Sequence, residues 1–80
     1  TEAYRWMAQE RTKTMILQQA TGKRYQVLLK RGIYYFARYE AARAFAEEAE
    51  LGQYRLVCYG YGWAIQREKS GPYWGPNGWA

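Results

Sequence analysis

The sequence contains no histidine, no aspartate and only one cysteine, Cys58. Without histidine or aspartate it cannot form a Ser-His-Asp or Cys-His catalytic arrangement, and it has no histidine to act as a general base at neutral pH. One cysteine supplies neither a structural zinc site nor an intrachain disulfide. These absences predict a protein that is not an enzyme and that uses no metal and no cofactor.

Three short features invite a catalytic or cofactor-binding interpretation, and each has a simpler one. Cys58 has no histidine partner and is predicted to be a small buried core residue. Glu47 and Glu48 are adjacent on a predicted helix and face different directions, which favours a solvated surface over a catalytic carboxylate pair. Gly60-Tyr61-Gly62 lacks the third glycine and the following helix of a dinucleotide-binding loop, so it is predicted to be a hairpin turn.

Long apolar runs are also absent. No uninterrupted apolar stretch reaches ten residues, and no segment has the apolar middle region of a signal peptide. A single unpaired thiol is more typical of a reducing compartment than of a secreted protein. We therefore expect a cytoplasmic protein that does not associate with membranes.

Aromatic residues are abundant: the 80 residues include nine tyrosines, four tryptophans and two phenylalanines. A chain of this length is expected to form a single small domain, here over residues 1–80, and to bury only about 60–65% of the surface that its unfolded form exposes. Large aromatic side chains bury more area per residue, and this compensates for the small core.

Apolar runs separated by glycine-containing breaks predict three consecutive strands. Residues 14–20 and 24–30 flank the break at Thr21-Gly22-Lys23 and are predicted to form a hairpin. Arg31-Gly32 makes a second tight break before residues 33–39, which are rich in the aromatic and β-branched residues that favour strands. These segments predict a three-stranded antiparallel meander.

The clearest helix is predicted over residues 40–51, and Gly52 is placed where a left-handed C-cap would end it. Its apolar stripe follows helical spacing and consists of Ala42, Phe45, Ala46 and Ala49. Residues 54–59 and 63–67 are predicted to form a second hairpin.

The two ends of the chain differ from this central part. Residues 1–12 favour a short helix or an ordered arm, and residues 70–80, dense in glycine, proline and aromatic residues, predict a loop or an irregular tail. The predicted fold class is α+β, with the order (α)βββαββ. It combines an antiparallel sheet, made of the three-stranded meander and the second hairpin, with one amphipathic helix packed on a face.

Charge is distributed unevenly along the chain. Residues 1–38 contain eight basic and two acidic residues, residues 39–51 contain one arginine and four glutamates, and residues 52–80 contain three basic residues and one glutamate. The meander is therefore basic and the helix acidic. A basic surface with interleaved aromatic rings suits nucleic acid, because the charges release counterions from phosphates and the rings stack on bases or pack on sugars.

The candidate nucleic-acid-binding residues lie in the meander, on the sheet face predicted to be opposite the helix and in its loops. They are Lys23, Arg24, Lys30, Arg31, Tyr34, Phe36 and Arg38. DNA is expected more than RNA. Two alternatives remain open for the charges: solvation alone, since a net charge of +5 is typical of soluble domains, or an acidic protein partner. For Tyr34 and Phe36, core packing is favoured over stacking on bases.

Residues 14–50 resemble one DNA-binding module, the three-strand-plus-helix domain of plant ethylene-response factors and of phage integrase arm-binding regions. The most specific part of the resemblance is the helix start Glu40-Ala-Ala-Arg-Ala-Phe45 behind two basic strands. The resemblance implies a sheet that enters the major groove of DNA with an alanine-rich helix behind it. The second hairpin has no counterpart in those domains.

A second hypothesis is an inhibitor or adaptor, encoded by a phage or another mobile element, that binds an acidic surface of a host protein. Tyrosine, tryptophan and arginine are enriched in interface cores, and the chain has nine, four and eight of them. The candidate partner-binding residues are Tyr73, Trp74 and Trp79, which are expected either to fold back on the sheet or to contact the partner. An exposed edge strand also leaves homodimerisation by sheet extension open.

Overall fold

The computed structural model describes residues 12–80. In this part of the chain, a five-stranded antiparallel sheet and a two-stranded hairpin are accompanied by one helix. In chain order the elements are β1 (Lys13–Gln18), β2 (Arg24–Lys30), β3 (Ile33–Phe36), α1 (Tyr39–Glu48), β4 (Arg55–Tyr59), β5 (Gly62–Gln66), β6 (Trp74–Gly75) and β7 (Gly78–Trp79). The predicted α+β fold is confirmed, and the N-terminal helix or arm lies outside the described residues.

The sheet has the strand order β1-β2-β3-β5-β4, and every neighbouring pair is antiparallel. Strands β1 to β3 form the predicted meander, and β4 and β5 form the predicted second hairpin. Because β3 and β4 are each antiparallel to β5, they run parallel to one another and need a crossover between them. Helix α1 provides that crossover, so it lies over one face of the sheet.

The core lies between α1 and the sheet. It consists of Tyr25, Val27, Tyr34, Phe36 and Ile65 from the strands and Ala42, Phe45 and Ala46 from the helix. The three helical residues belong to the predicted apolar stripe. Alanine side chains let the helix approach the strands closely, and the ring of Phe45 packs against those of Phe36 and Tyr25 at centroid distances of 5.2 and 5.7 Å.

Helix α1 is shorter than predicted at its C-terminal end and stops without using Gly52. Its last helical residue is Glu48, and Glu50 adopts the left-handed conformation with φ of 54°. The backbone N–H of Leu51 donates to the carbonyl of Ala46 and that of Glu50 to the carbonyl of Glu47, both at 3.2 Å. This is a Schellman motif, which turns the chain so that Leu51 packs against the core.

Strand β3 is also shorter than predicted, because the chain leaves the sheet after Phe36. Arg38 has extended backbone angles and is the N-cap residue of α1, which begins at Tyr39. Residues 37–39 therefore form the entrance to the helix instead of the end of a strand.

Residues 70–80 contain a hairpin, where an irregular segment was predicted. Trp74 pairs with Trp79 and Gly75 with Gly78, and Pro76 and Asn77 form the turn. The hairpin packs on the turn between β2 and β3 so closely that a Cβ atom on Gly75 would overlap the carbonyl oxygen of Gly32. The rings of Trp74 and Trp79 meet edge to face at 5.1 Å and pack against the core.

The buried side chain of Gln66 holds the chain where it returns toward β6. Its amide donates a hydrogen bond of 2.9 Å to the carbonyl of Gly71. The backbone N–H of Arg67 donates to the carbonyl of Pro72, also at 2.9 Å.

Within residues 12–80, no helix has both the length and the apolar character needed to cross a membrane.

Candidate nucleic-acid interface

The sheet has a second face, directed away from α1, which we call the open face. Within residues 12–80, no helix covers it. The strand pairings place on it Thr14, Ile16 and Gln18 from β1, Arg24, Gln26, Leu28 and Lys30 from β2, Ile33 and Tyr35 from β3, Arg55, Val57 and Tyr59 from β4, and Gly62, Ala64 and Gln66 from β5. It is therefore lined by basic, polar, aromatic and apolar side chains.

Small residues on β5 let aromatic rings lie over the middle of the open face. Ala64 is fully buried beneath them. At Gly62, a Cβ atom would come within 2.8 Å of the carbonyl oxygen of Phe36 and 3.2 Å of the Cβ of Tyr35. A larger side chain at Gly62 would therefore push β5 away from β3 and displace the Tyr35 ring.

Four rings gather there, and we call Tyr35, Tyr59, Tyr61 and Tyr73 the tyrosine cluster. Tyr35 meets Tyr61 edge to face at 4.7 Å and Tyr59 at 5.5 Å, and Tyr59 and Tyr61 are nearly parallel at 5.9 Å. The hydroxyl groups of Tyr59 and Tyr73 share a hydrogen bond of 2.7 Å. Tyr73 comes from the C-terminal segment, so tertiary packing completes the cluster.

The cluster raises the pKa of two of its phenols, those of Tyr35 and Tyr59. The hydrogen bond with Tyr73, followed by burial, raises the pKa of Tyr59 to about 12. Burial, together with the neighbouring Tyr61, raises the pKa of Tyr35. Because the pKa of Tyr59 is higher in the folded state than in the unfolded state, its contribution to stability is complete below about pH 10. That contribution is lost as the pH rises through 12.

Removing the hydrogen-bond partner of Tyr59 is expected to lower its pKa. A Tyr73→Phe variant keeps the ring but loses the hydroxyl, so the step of the phenolate absorbance titration that lies near pH 12 should move to lower pH. Tyr39→Phe is the matched control, because Tyr39 packs against Trp63 away from the cluster. If the step near pH 12 is unchanged in Tyr73→Phe, the hydrogen bond between Tyr59 and Tyr73 is contradicted.

One basic side chain contacts the tyrosine cluster, and a second lies near it. The Nζ atom of Lys30 lies over the ring of Tyr61, 4.1 Å from its centroid, which is a cation–π contact. Arg55 is close enough to Tyr59 for its charge to act against the rise in the pKa of that phenol. Lys30 was predicted as a site residue from sequence, and Arg55 was not.

The remaining predicted basic residues are divided between different parts of the molecule. Arg24 is exposed on the open face at the start of β2, and Arg31 is exposed in the turn between β2 and β3. Lys23 instead reaches toward the helix, where its Nζ lies 3.5 Å from Glu48 and the glutamate charge raises the pKa of the lysine. Arg38 is exposed at the entrance to α1.

Tyr34 and Phe36 were predicted as candidate binding residues beside the basic side chains, and that placement is wrong. The alternative that the sequence favoured for them, packing in the core, is confirmed. Tyr34 is 8% exposed and Phe36 is 0% exposed, and both belong to the core under α1. Burial raises the pKa of Tyr34. Alternation along β3 then directs Tyr35, between them, to the open face.

The aromatic residues of the C-terminal segment are also divided between the two sides. Trp74 and Trp79 fold back against the core, as one of the two open interpretations expected. Tyr73 joins the tyrosine cluster. Binding of a partner by these three residues stays a prediction.

The sequence predicted that Cys58 is buried and that Glu47 and Glu48 face different directions on a solvated surface. Cys58 is exposed, so its predicted burial is wrong: it lies near the end of β4, an outer strand of the sheet. Glu47 accepts a hydrogen bond of 2.8 Å from the hydroxyl of Tyr54, and Glu48 one of 3.0 Å from that of Tyr25. The two carboxylates do face different directions, and they help to hold the helix on the sheet.

Acidic residues are segregated from the open face. None of the five strands of the sheet contains one. Within residues 12–80, the acidic residues are Glu40, Glu47, Glu48 and Glu50, in α1 and the turn after it, and Glu68 in the segment after β5. The negative charge of α1 is therefore on the opposite side of the sheet from Lys30 and Arg55.

Two depressions reflect this segregation. One, of about 230 Å³, lies on the open face and is lined by Gln26, Val27, Leu28, Tyr35, Ala37 and Tyr61. The other, of about 370 Å³, lies at the end of α1 and includes Glu47 and Glu50, which makes it unsuited to a phosphate. Within the described residues, no three potential metal ligands among Cys and Glu come together.

Sequence reasoning missed Tyr35, Tyr59, Tyr61 and Arg55. The signal that points to them lies in β5, where the small residues Gly62 and Ala64 occupy alternate positions. Small side chains on one face of a strand leave room for large rings above them.

No protein family model, no curated protein and no solved structure matches the chain. The resemblance of residues 14–50 to DNA-binding domains therefore gains no support from these comparisons.

Proposed function

We propose that the protein is a non-enzymatic nucleic-acid-binding module, with DNA as the preferred ligand, and that it binds with the open face of its sheet. The observation that carries this proposal is the separation of chemistry across the sheet. The open face combines the tyrosine cluster with Lys30 and Arg55, whereas the acidic helix is on the other side.

Phosphates account for most of the expected affinity. Each lysine or arginine that contacts a phosphate releases condensed counterions, which makes binding weaken as salt increases. Arg24, Lys30 and Arg55 are on the open face, and Arg31 is exposed at its end. The tyrosine rings add contacts to bases and sugars, whose aromatic and apolar surfaces they match. We also expect the protein in the cytoplasm, where nucleic acid is present and Cys58 stays reduced.

Removing two charges from the open face should weaken binding. For a Lys30→Ala, Arg55→Ala double variant we expect a loss of about 10- to 100-fold in affinity for a fluorescent oligonucleotide at physiological salt. The slope of log affinity against log salt should also fall, by about 1.8 for two lost phosphate contacts to a duplex or about 1.4 for two to a single strand. Stability should change little, because Arg55 is exposed and the cation–π contact of the half-buried Lys30 is weak.

A matched control removes the same charge from the other side. Lys23 faces α1 and Arg43 is exposed on it, so Lys23→Ala, Arg43→Ala should bind nearly as the unmodified protein does. Equal losses in the two double variants would show that only net charge matters and would contradict a defined face.

The alternative, an inhibitor or adaptor bound to an acidic host protein, is favoured by one observation. Ile16 is 58% exposed on the open face, with Leu28 and Val57 half-buried on the same face, and such apolar area is typical of a protein interface. It predicts that no oligonucleotide binds even at low salt.

A further inference from the structure

Tyr61 occupies a special place in the tyrosine cluster. It lies at the tip of the two-residue turn between β4 and β5, since Tyr59 pairs directly with Gly62. Tyr61 is 41% exposed, whereas Tyr35 is buried and Tyr59 and Tyr73 are half-buried. Tyr61 is therefore the ring of the cluster that a ligand reaches first, and Tyr35 and Tyr59 support it from beneath.

The ammonium group of Lys30 lies on the ring of Tyr61. A cation–π contact at an exposed site is weak, and a nucleobase stacked on the same ring contributes more. A nucleotide offers the base and the phosphate together. If a base replaces the ammonium on the Tyr61 ring, Lys30 is free to turn to the neighbouring phosphate. The ring then contacts the base and the ammonium contacts the phosphate, so both keep a partner.

The depression beside Tyr61 has the size and the lining to receive that base. Its volume of about 230 Å³ is several times the roughly 30 Å³ that one water molecule occupies in the liquid. Leu28 and Ala37 provide apolar surface, and Gln26 provides an amide that both donates and accepts hydrogen bonds. The site therefore has groups for both the flat surface and the polar edge of a base.

From this arrangement we infer that the open face binds single-stranded nucleic acid, with one unpaired base stacked on Tyr61 in place of the Lys30 ammonium and its edge against Gln26. This inference rests on the proposed function and specifies its ligand. A duplex keeps its bases paired and stacked, so it presents mainly phosphates to such a face, whereas a single strand can turn a base outward.

The test compares three fluorescent ligands of equal length: a single strand, its duplex, and a strand of abasic sites that has the phosphates without bases. We expect the single strand to bind at least about 10-fold more tightly than either of the other two. Tyr61→Ser should weaken binding of the single strand by about 5- to 100-fold and leave the abasic strand unaffected. Tyr61→Phe should bind as the unmodified protein does, because it keeps the ring.

Tyr39→Ser is the matched control for lost aromatic area, because Tyr39 is 44% exposed and packs on Trp63 away from the open face. It should bind the single strand normally. Thermal melting checks that each variant is folded. If Tyr61→Ser is not folded, Tyr61→Leu is used in its place, since leucine keeps apolar contact with Tyr35 but offers no flat ring.

The outcomes separate this inference from the proposed function. If the Lys30, Arg55 double variant loses binding but Tyr61→Ser or Tyr61→Leu binds the single strand normally, the open face binds nucleic acid without the stacked base. Equal affinity for the duplex and the single strand would also overturn the inference alone. If none of the three ligands binds at low salt, both the inference and the proposed function are wrong.

Discussion

A Phe36→Ala variant is expected to lose about 3–5 kcal/mol of its free energy of unfolding. Phe36 is fully buried, and its ring lies 5.2 Å from that of Phe45 and 6.1 Å from that of Tyr25. Truncation would leave a cavity at the centre of the contact between α1 and the sheet. For a chain of 80 residues, a total stability of about 4–12 kcal/mol is typical, so a large share would be lost. Urea unfolding followed by circular dichroism measures it.

The control for this variant is Ile16→Ala, which removes an exposed apolar side chain from the open face. Its stability should change by less than about 0.5 kcal/mol. The comparison tests which face of the sheet the helix covers. A Phe36→Ala protein that unfolds normally but no longer binds nucleic acid would show that the two faces have been assigned the wrong way round.

A Gly75→Ala variant is expected to displace the C-terminal hairpin from the sheet. The added methyl group would overlap the carbonyl oxygen of Gly32, which is backbone and has no rotamer with which to move aside. Undocking would expose Trp74 and Trp79 and separate Tyr73 from Tyr59. From the burial of two half-buried tryptophans, we expect a loss of about 2–4 kcal/mol in stability. Tryptophan fluorescence should shift to longer wavelength.

Gly60→Ala is the matched control, because a Cβ atom at Gly60 would meet nothing within 4 Å and the residue does not need a positive φ. The stability of Gly60→Ala should be close to that of the unmodified protein. Deletion of residues 72–80 provides an independent reference for the undocked state. If Gly75→Ala were as stable as Gly60→Ala, the hairpin would not rest on the turn between β2 and β3.

The hairpins and the helix could be predicted because their signals are local. Gly22, Gly32 and the Gly60-Tyr61-Gly62 turn interrupt apolar runs, and hairpin turns between short strands depend on such residues. The stripe of Ala42, Phe45 and Ala46 marks the buried side of α1 whatever the helix packs against. The hairpin at residues 74–79 was missed because its strands are two residues long, too short for an alternating pattern.

The candidate site could be predicted only in part. Alternation along β3 separates Tyr34 and Phe36 from Tyr35, but it does not say which set faces the helix. The chain of charges in residues 23–31 indicated one basic region, yet Lys23 turns to Glu48 while Lys30 turns to Tyr61. Arg55 and Tyr59 are far along the chain from β2. They share a face with it only because β5 pairs with β3 on one side and with β4 on the other.

The sequence by itself determined the helix and the five strands of the main sheet, the acidic character of that helix and the basic character of the meander, because propensity, periodicity and charge are properties of neighbouring residues. The tertiary structure decided what those elements present to a ligand. The crossover through α1 covered Phe36 and left Tyr35 on the open face. The return of the C-terminal segment brought Tyr73 to Tyr59. These contacts join residues distant in sequence, so they depend on how the layers pack.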